Sequence, residues 1–330
     1  MKHRPPSHAV RPQLRLAFRL ILLAAVFMRA SQAAEPESSS FHVGFSHALF
    51  TDVNENDAKA SVKAWVQTIA KERGIPTDPN PRIFQTTAEL SQALRDKSVD
   101  AVGISTVEYA AAIQGVPLSP IFVTYNTGQY REQYLVLVHR DSKLDHVSDL
   151  RGRKLVFHLN ARACLAQPWL DAQLVKEGGK PTTEWLGEIT QSAKLSQVIL
   201  PVFFHRCDAC VATRTEFETM CELNPQLGQQ LKIIARSPEM VTAMFCFRAD
   251  YAPAFKEQLL AGLRDLHKSP AGLQVLTIFQ SDKIEEQPAD CLDSALELIA
   301  PKARLVNRAG TSNILSQTGA PQILSGGVPP

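Results

Sequence analysis

Two stretches of this chain carry one phrase. The first reads Val99-Asp100-Ala101-Val102-Gly103-Ile104-Ser105-Thr106-Val107-Glu108-Tyr109, the second Cys207-Asp208-Ala209-Cys210-Val211-Ala212-Thr213-Arg214-Thr215-Glu216-Phe217. In each, a helical pattern leads into an Asp-Ala strand, and a polar pair (Ser105-Thr106 or Thr213-Arg214) falls where the strand gives way to the next helix. A chain that writes one strand-helix unit twice folds into two related α/β halves. Open α/β sheets bind ligands at the carboxyl ends of their strands. A helix N-terminus there offers unpaired N–H donors and about half a positive charge, suited to phosphate, sulfate or carboxylate. Ser105 and Thr213 also fit as plain helix caps; the matched pair favours a two-sided clamp.

The rest of the chain alternates strands and helices in the same way. Phe41 to Phe45 reads as the first strand, and Asp57 to Arg73 spaces Val62, Trp65 and Val66 as a core-facing helix stopped by Gly74. Thr86-Thr87-Ala88-Glu89 reads as a capping box. Further strands are expected at 121–125, 134–138, 154–157 and 244–247, and helices at 163–177, 192–200, 253–267 and 271–279.

The chain opens with Lys2, Arg4, Arg11, Arg15 and Arg19 ahead of an apolar run from Leu20 to Met28 and then Ser31-Gln32-Ala33. That is the pattern of a secretory signal peptide over residues 1–33. The leader holds six of the 35 Lys and Arg and none of the 33 Asp and Glu, so the remainder carries 29 against 33, a formal net charge of −4. Its charges are interspersed and form no cationic stripe, so no nucleic-acid partner is expected. A chain of 330 residues with 45 % hydrophobic content usually forms two domains. All six cysteines (Cys164, Cys207, Cys210, Cys221, Cys246, Cys291) follow the leader, and export predicts one to three disulfides.

With the Asp100-Ala101 and Asp208-Ala209 strands, the run Ser148-Asp149-Leu150-Arg151-Gly152-Arg153-Lys154-Leu155-Val156-Phe157 and the turn Ser269-Pro270-Ala271-Gly272, the chain from about Phe41 to Ala300 resembles the phosphate/phosphite/phosphonate-type substrate-binding proteins of ABC importers. The resemblance implies a type 2 periplasmic-binding-protein fold: two lobes of mainly parallel sheets flanked by helices, with the ligand cleft between them. It places lobe one at 36–135 plus 249–305 and lobe two at 136–248, crossed near Tyr134–Arg140 and Met244–Asp250, with a flexible tail at 306–330. It also implies a periplasmic monomer that delivers a small anionic solute to a membrane permease, without cofactor or metal. Where that family usually has Ser-Thr-Ser-Gly, this chain has Ala161-Arg162-Ala163-Cys164. The N–H groups of Ala163 and Cys164 remain available there, and Arg162 adds a bidentate, charge-assisted donor. Ser46, Tyr125 and Gln191 complete the expected lining with Ser105, Thr106, Thr213 and Arg214.

Two alternatives stay open at this level. The same closure would serve a sensory protein signalling to a membrane partner. Cys164 at a helix start, six residues after His158, is the one enzyme-like pairing, a Cys-dependent hydrolase or transferase. Cys207-x-x-Cys210 spans an apolar strand and therefore does not read as a redox motif.

Overall fold

The computed structural model describes residues 40–299 except Asp52, Ile113 and Gln114; the leader at 1–33 and the tail at 306–330 lie outside the described residues. Eleven strands form two sheets among them. The first half opens with β1 (Val43–Ser46), β2 (Arg82–Phe84), β3 (Ala101–Ser105) and β4 (Leu118–Tyr125). The chain then crosses to β5 (Tyr134–His139), β6 (Lys154–His158), β7 (Glu188–Ser192), β8 (Ala209–Thr213) and β9 (Leu231–Arg236). It returns for β10 (Ala243–Arg248) and β11 (Lys283–Gln287). The sheets run β11-β4-β10-β3-β1-β2 and β7-β6-β8-β5-β9.

Parallel pairing joins β1 to β2 and β3, and β6 to β7 and β8. The remaining pairs are antiparallel, so each sheet is mixed. The reason is that each crossing chain enters the opposite half from the cleft side and runs back beside the repeated strand. β10 pairs with β3 (Ala243 opposite Ser105) and β5 with β8 (Tyr134 opposite Thr213). Ala243–Arg248 is thus a strand of the first sheet, although the sequence had placed it at the end of lobe two. The crossings are 126–133 and 237–242, one segment earlier than expected in each case, and they are tied to each other by Glu132 N to Met240 O (2.8 Å) and Met240 N to Glu132 O (2.9 Å).

Helices flank the sheets: α1 (Glu55–Arg73), α2 (Thr87–Arg95), α3 (Thr106–Ala112), α4 (Ala166–Lys176), α5 (Leu195–Phe203), α6 (Arg214–Leu223), α7 (Lys256–Arg264), α8 (Pro270–Ile278) and α9 (Asp293–Ile299). Asn54 Oδ1 caps α1 by accepting from the N–H groups of Asn56 and Asp57, and Gly74 ends it in the left-handed region at φ +64°. Thr86 and Glu89 form the expected capping box. Val62, Trp65 and Val66 of α1 enter a core shared with β1, β10 and α7–α8. Burial on both faces is why β3 and β8 read as continuous apolar runs rather than alternating ones.

The aspartate of each repeated phrase fixes strand register. Asp100 Oδ2 accepts from His42 N (2.8 Å) at the start of β1, and Asp208 Oδ2 accepts from Lys154 N (2.8 Å) at the start of β6. Asp100 also accepts from Arg248 Nη2 (3.1 Å), both side chains being under 10 % exposed. Breaking a buried pair strands the surviving charge.

All six cysteines are free, so the expected bridges are not formed. Cys210 and Cys246 are buried in strands of different sheets, and Cys207 turns its Sγ to the carbonyls of Lys154 (3.2 Å) and Ala209 (3.3 Å). Among the described residues no helix is long and apolar enough to cross a membrane.

Asp100→Ala should lower the unfolding free energy by about 3–5 kcal/mol, read from urea denaturation; a change within ~0.5 kcal/mol would show that the Arg248 pair is dispensable.

Candidate functional site

The polar ends of β3 and β8 face the junction, and both are closed by a carboxylate of the chain itself. At β3, Glu108 accepts from Ser105 N (3.0 Å), from Ser105 Oγ (2.7 Å) and from Ser46 Oγ through a very short hydrogen bond. At β8, Glu216 accepts from Thr213 N (2.9 Å), from Asn160 Nδ2 (2.6 Å) and from the ring of His158, whose Nδ1 lies at 2.8 Å. In return Thr213 Oγ1 accepts from Glu216 N (3.2 Å), completing a capping box.

The next N–H in each copy is spent on a crossing segment. Thr106 N donates to Thr242 O (2.8 Å) and Arg214 N to Gln133 O (2.7 Å). Thr106 Oγ1 donates to Val241 O (2.6 Å). The donors that the sequence reserves for an anion are therefore engaged within the protein on both sides. Glu108 and Glu216 escaped sequence reasoning although Ser105-x-x-Glu108 and Thr213-x-x-Glu216 have the same capping-box spacing as Thr86-x-x-Glu89.

The Ala161–Ala163 turn is likewise stapled. Ala163 N donates to Asn160 Oδ1 (2.8 Å), and Cys164 Sγ donates to Thr242 O (3.4 Å). Burial pushes the Cys164 thiol up to about 12, helped by the Glu108 charge, so the group is a thiol and not a nucleophilic thiolate. His158 points its Nδ1 at Glu216, which leaves the Cys164–His158 pairing without a geometric basis. Burial works to raise the Glu216 carboxyl, but His158, Thr213 N and Asn160 outweigh it and hold it below the usual carboxylate range.

Arg162 spans the junction. Its Nη1 donates to Glu132 Oε1 (2.8 Å) in the first crossing segment, and its Nη2 to Gln280 O (2.7 Å) after α8 in the first half. Its own carbonyl accepts from Tyr134 Oη (2.7 Å), a fully buried hydroxyl on β5. Burial raises the Glu132 carboxyl above the ordinary range, and the guanidinium beside it offsets part of that.

Arg162 also borders a cavity of about 120 Å3 that runs into the first half between β1, β10, α1 and α8. Ala163, Cys164 and Gln191 meet instead around a second cavity of about 330 Å3 in the second half, with His158, Asn160 and Asp171. Tyr125 is turned to the edge strand β11, where its Oη accepts from Gln287 Nε2 (2.9 Å) and Lys283 Nζ lies 4.5 Å from its ring. Arg214 is drawn away by Glu239 (3.2 Å). Among the described residues no three His, Cys, Asp or Glu side chains cluster to hold a metal ion.

A family model described as the periplasmic substrate-binding protein of phosphonate ABC transporters matches residues 48–290. Among solved structures, the chain is similar to XAC2383 from Xanthomonas citri bound to ATP (17 % identity, 85 % of this chain and 100 % of that one, TM-score 0.56). It is also similar to PhnD1 from Prochlorococcus marinus in complex with methylphosphonate (14 %, 79 % and 97 %, TM-score 0.54). A third is a binding-protein component of an ABC phosphonate transporter from Pseudomonas aeruginosa (14 %, 84 % and 96 %, TM-score 0.51). At these identities the likeness establishes the shared fold. No curated protein matches the chain in sequence.

Glu216→Gln should cost about 1–3 kcal/mol at neutral pH, because one of the two buried oxygens that accept from these three donors becomes an NH2 donor and the charge is lost. The sign with pH follows from the depressed carboxyl: the wild-type contribution is present above the unfolded value and disappears as pH falls through the folded one. Urea unfolding from neutral to acid should therefore show the two proteins converging; parallel curves would mean that Glu216 is not the titrating group.

Proposed function

The chain belongs to the family of periplasmic substrate-binding proteins of phosphonate ABC transporters, a binding and not a catalytic family, and from that premise we propose that Arg162 is its solute-recognition residue. The reading is that a small solute bearing an oxyanion is captured between the two halves and handed to the importer's permease. Arg162 carries this reading. It stands in the turn that replaces the hydroxyl-rich one of the family, its guanidinium makes a 2.8 Å ion pair with Glu132, and it bonds to the first half through Gln280 O. A planar guanidinium suits a phosphonate, sulfonate or carboxylate head.

In this structure a main-chain carbonyl and a buried carboxylate take those donors. When the halves part, Arg162 leaves Gln280 with the second half and faces the cleft. An oxyanion that satisfies it more fully than a carbonyl does favours closure around the solute, since only the closed form supplies contacts from both sides. Glu132 holds the guanidinium in place while keeping the local charge near neutral, which weakens binding of multiply charged inorganic anions relative to singly charged organic ones. Export through the leader at 1–33 and action as a monomer belong to the same reading.

Replacing Arg162 by Ala should weaken binding of methylphosphonate or of an organic carboxylate by at least about tenfold, roughly 1.4 kcal/mol, in titration calorimetry. An affinity unchanged by the substitution removes Arg162 from the site.

A further inference from the structure

We infer that the cavity behind Arg162 seats an apolar tail of the solute, so that this protein selects oxyanions carrying an alkyl or aryl group over inorganic ones. The inference rests on the oxyanion reading of Arg162. The cavity is walled by Phe45, Trp65, Phe245 and Phe279, with Tyr130 and Arg162 where it meets the second half. At about 120 Å3 it approaches the apolar cavity of ~150 Å3 that holds a benzene ring in another protein.

The walls are built rather than left over. Phe45 stacks on Phe279 (centroids 5.8 Å apart, 21° between planes) and lies 6.0 Å from Phe245. Gly103 on β3 makes this possible, because a Cβ there would stand 2.5 Å from the Phe45 ring. Interiors normally close gaps of this size, and this one is bordered by a charged group at one end only.

The polar side of the cleft points the same way. With Glu108 and Glu216 closing the ends of β3 and β8, a ligand head has the donors of Arg162 that Glu132 does not take and little else. Affinity for a small solute must then come from apolar surface, which this cavity offers.

Calorimetry on the full chain with methyl-, propyl-, hexyl- and phenylphosphonate tests the inference. Affinity should rise about fourfold per methylene until the cavity is full, with phenylphosphonate well above methylphosphonate. Ala243→Leu, which fills the cavity from β10, should flatten the series; if that variant fails to fold, Val275→Phe fills it from α8. Equal affinities along the series in the wild type would overturn the tail seat while leaving Arg162 as the head contact. If no phosphonate binds, toluene separates the two ideas. Saturable toluene binding seen in tryptophan fluorescence, abolished by Val275→Phe, upholds the apolar seat and sinks the oxyanion reading; no toluene binding sinks both.

Discussion

A peptide N–H at the carboxyl end of a parallel strand has left its ladder and has not yet entered the next helix, so it needs an acceptor from elsewhere. In a ligand-binding α/β protein that acceptor is commonly the ligand. Here it is a glutamate three residues on, Glu108 after β3 and Glu216 after β8, each bonded to the backbone N–H and the surrounding hydroxyl, amide or imidazole donors. The junction between the halves is organised around these two carboxylates. They anchor Ser46, Ser105, Asn160, His158 and Thr213, beside which Arg162 pairs with Glu132 of the first crossing segment.

Much of this architecture was legible because it is written in backbone chemistry. The repeated phrase proved to be a structural unit with an aspartate at one end and a glutamate at the other. Asp100 and Asp208 each hold the first N–H of the neighbouring strand, and the glutamates cap the helix that follows. Reading the phrase as a clamp assigned to a ligand donors that Glu108 and Glu216 take, since polar residues at a strand end look alike whether they await a ligand or a side chain. Arg162 stands out in the sequence because it interrupts a pattern of small and hydroxyl residues; its partners Glu132 and Gln280 were invisible, being 30 and 118 positions away in the chain.

The four strands that escaped detection, β2, β7, β9 and β11, share one property, a place at the edge of a sheet. β7 (Glu-Ile-Thr-Gln-Ser) and β11 (Lys-Ile-Glu-Glu-Gln) sit at sheet edges and carry polar or charged side chains on their exposed faces. Charges on an edge discourage pairing with other chains, and they also erase the apolar run by which a strand is recognised. Tyr125 was misassigned for the same reason: its neighbour β11 was missing from the sequence picture, and that strand provides Gln287 and Lys283 against it. The free cysteines have a different origin. Burial in strands of different sheets satisfies the thiols of Cys210 and Cys246 as small apolar groups, and the short spacing of Cys207 and Cys210 does not bring their sulfurs together.

The two crossing segments are joined by a reciprocal pair of backbone hydrogen bonds between Glu132 and Met240. Such a rung turns two independent connectors into one two-stranded strap. Sliding one half past the other would shear both bonds at once, and twisting would pull them unequally, whereas a swing about the strap leaves both intact. The movement left to the protein is therefore a door-like rotation with a single fixed axis. Arg162 is paired with Glu132 at one end of that axis, where a small displacement sets the angle of the whole second half.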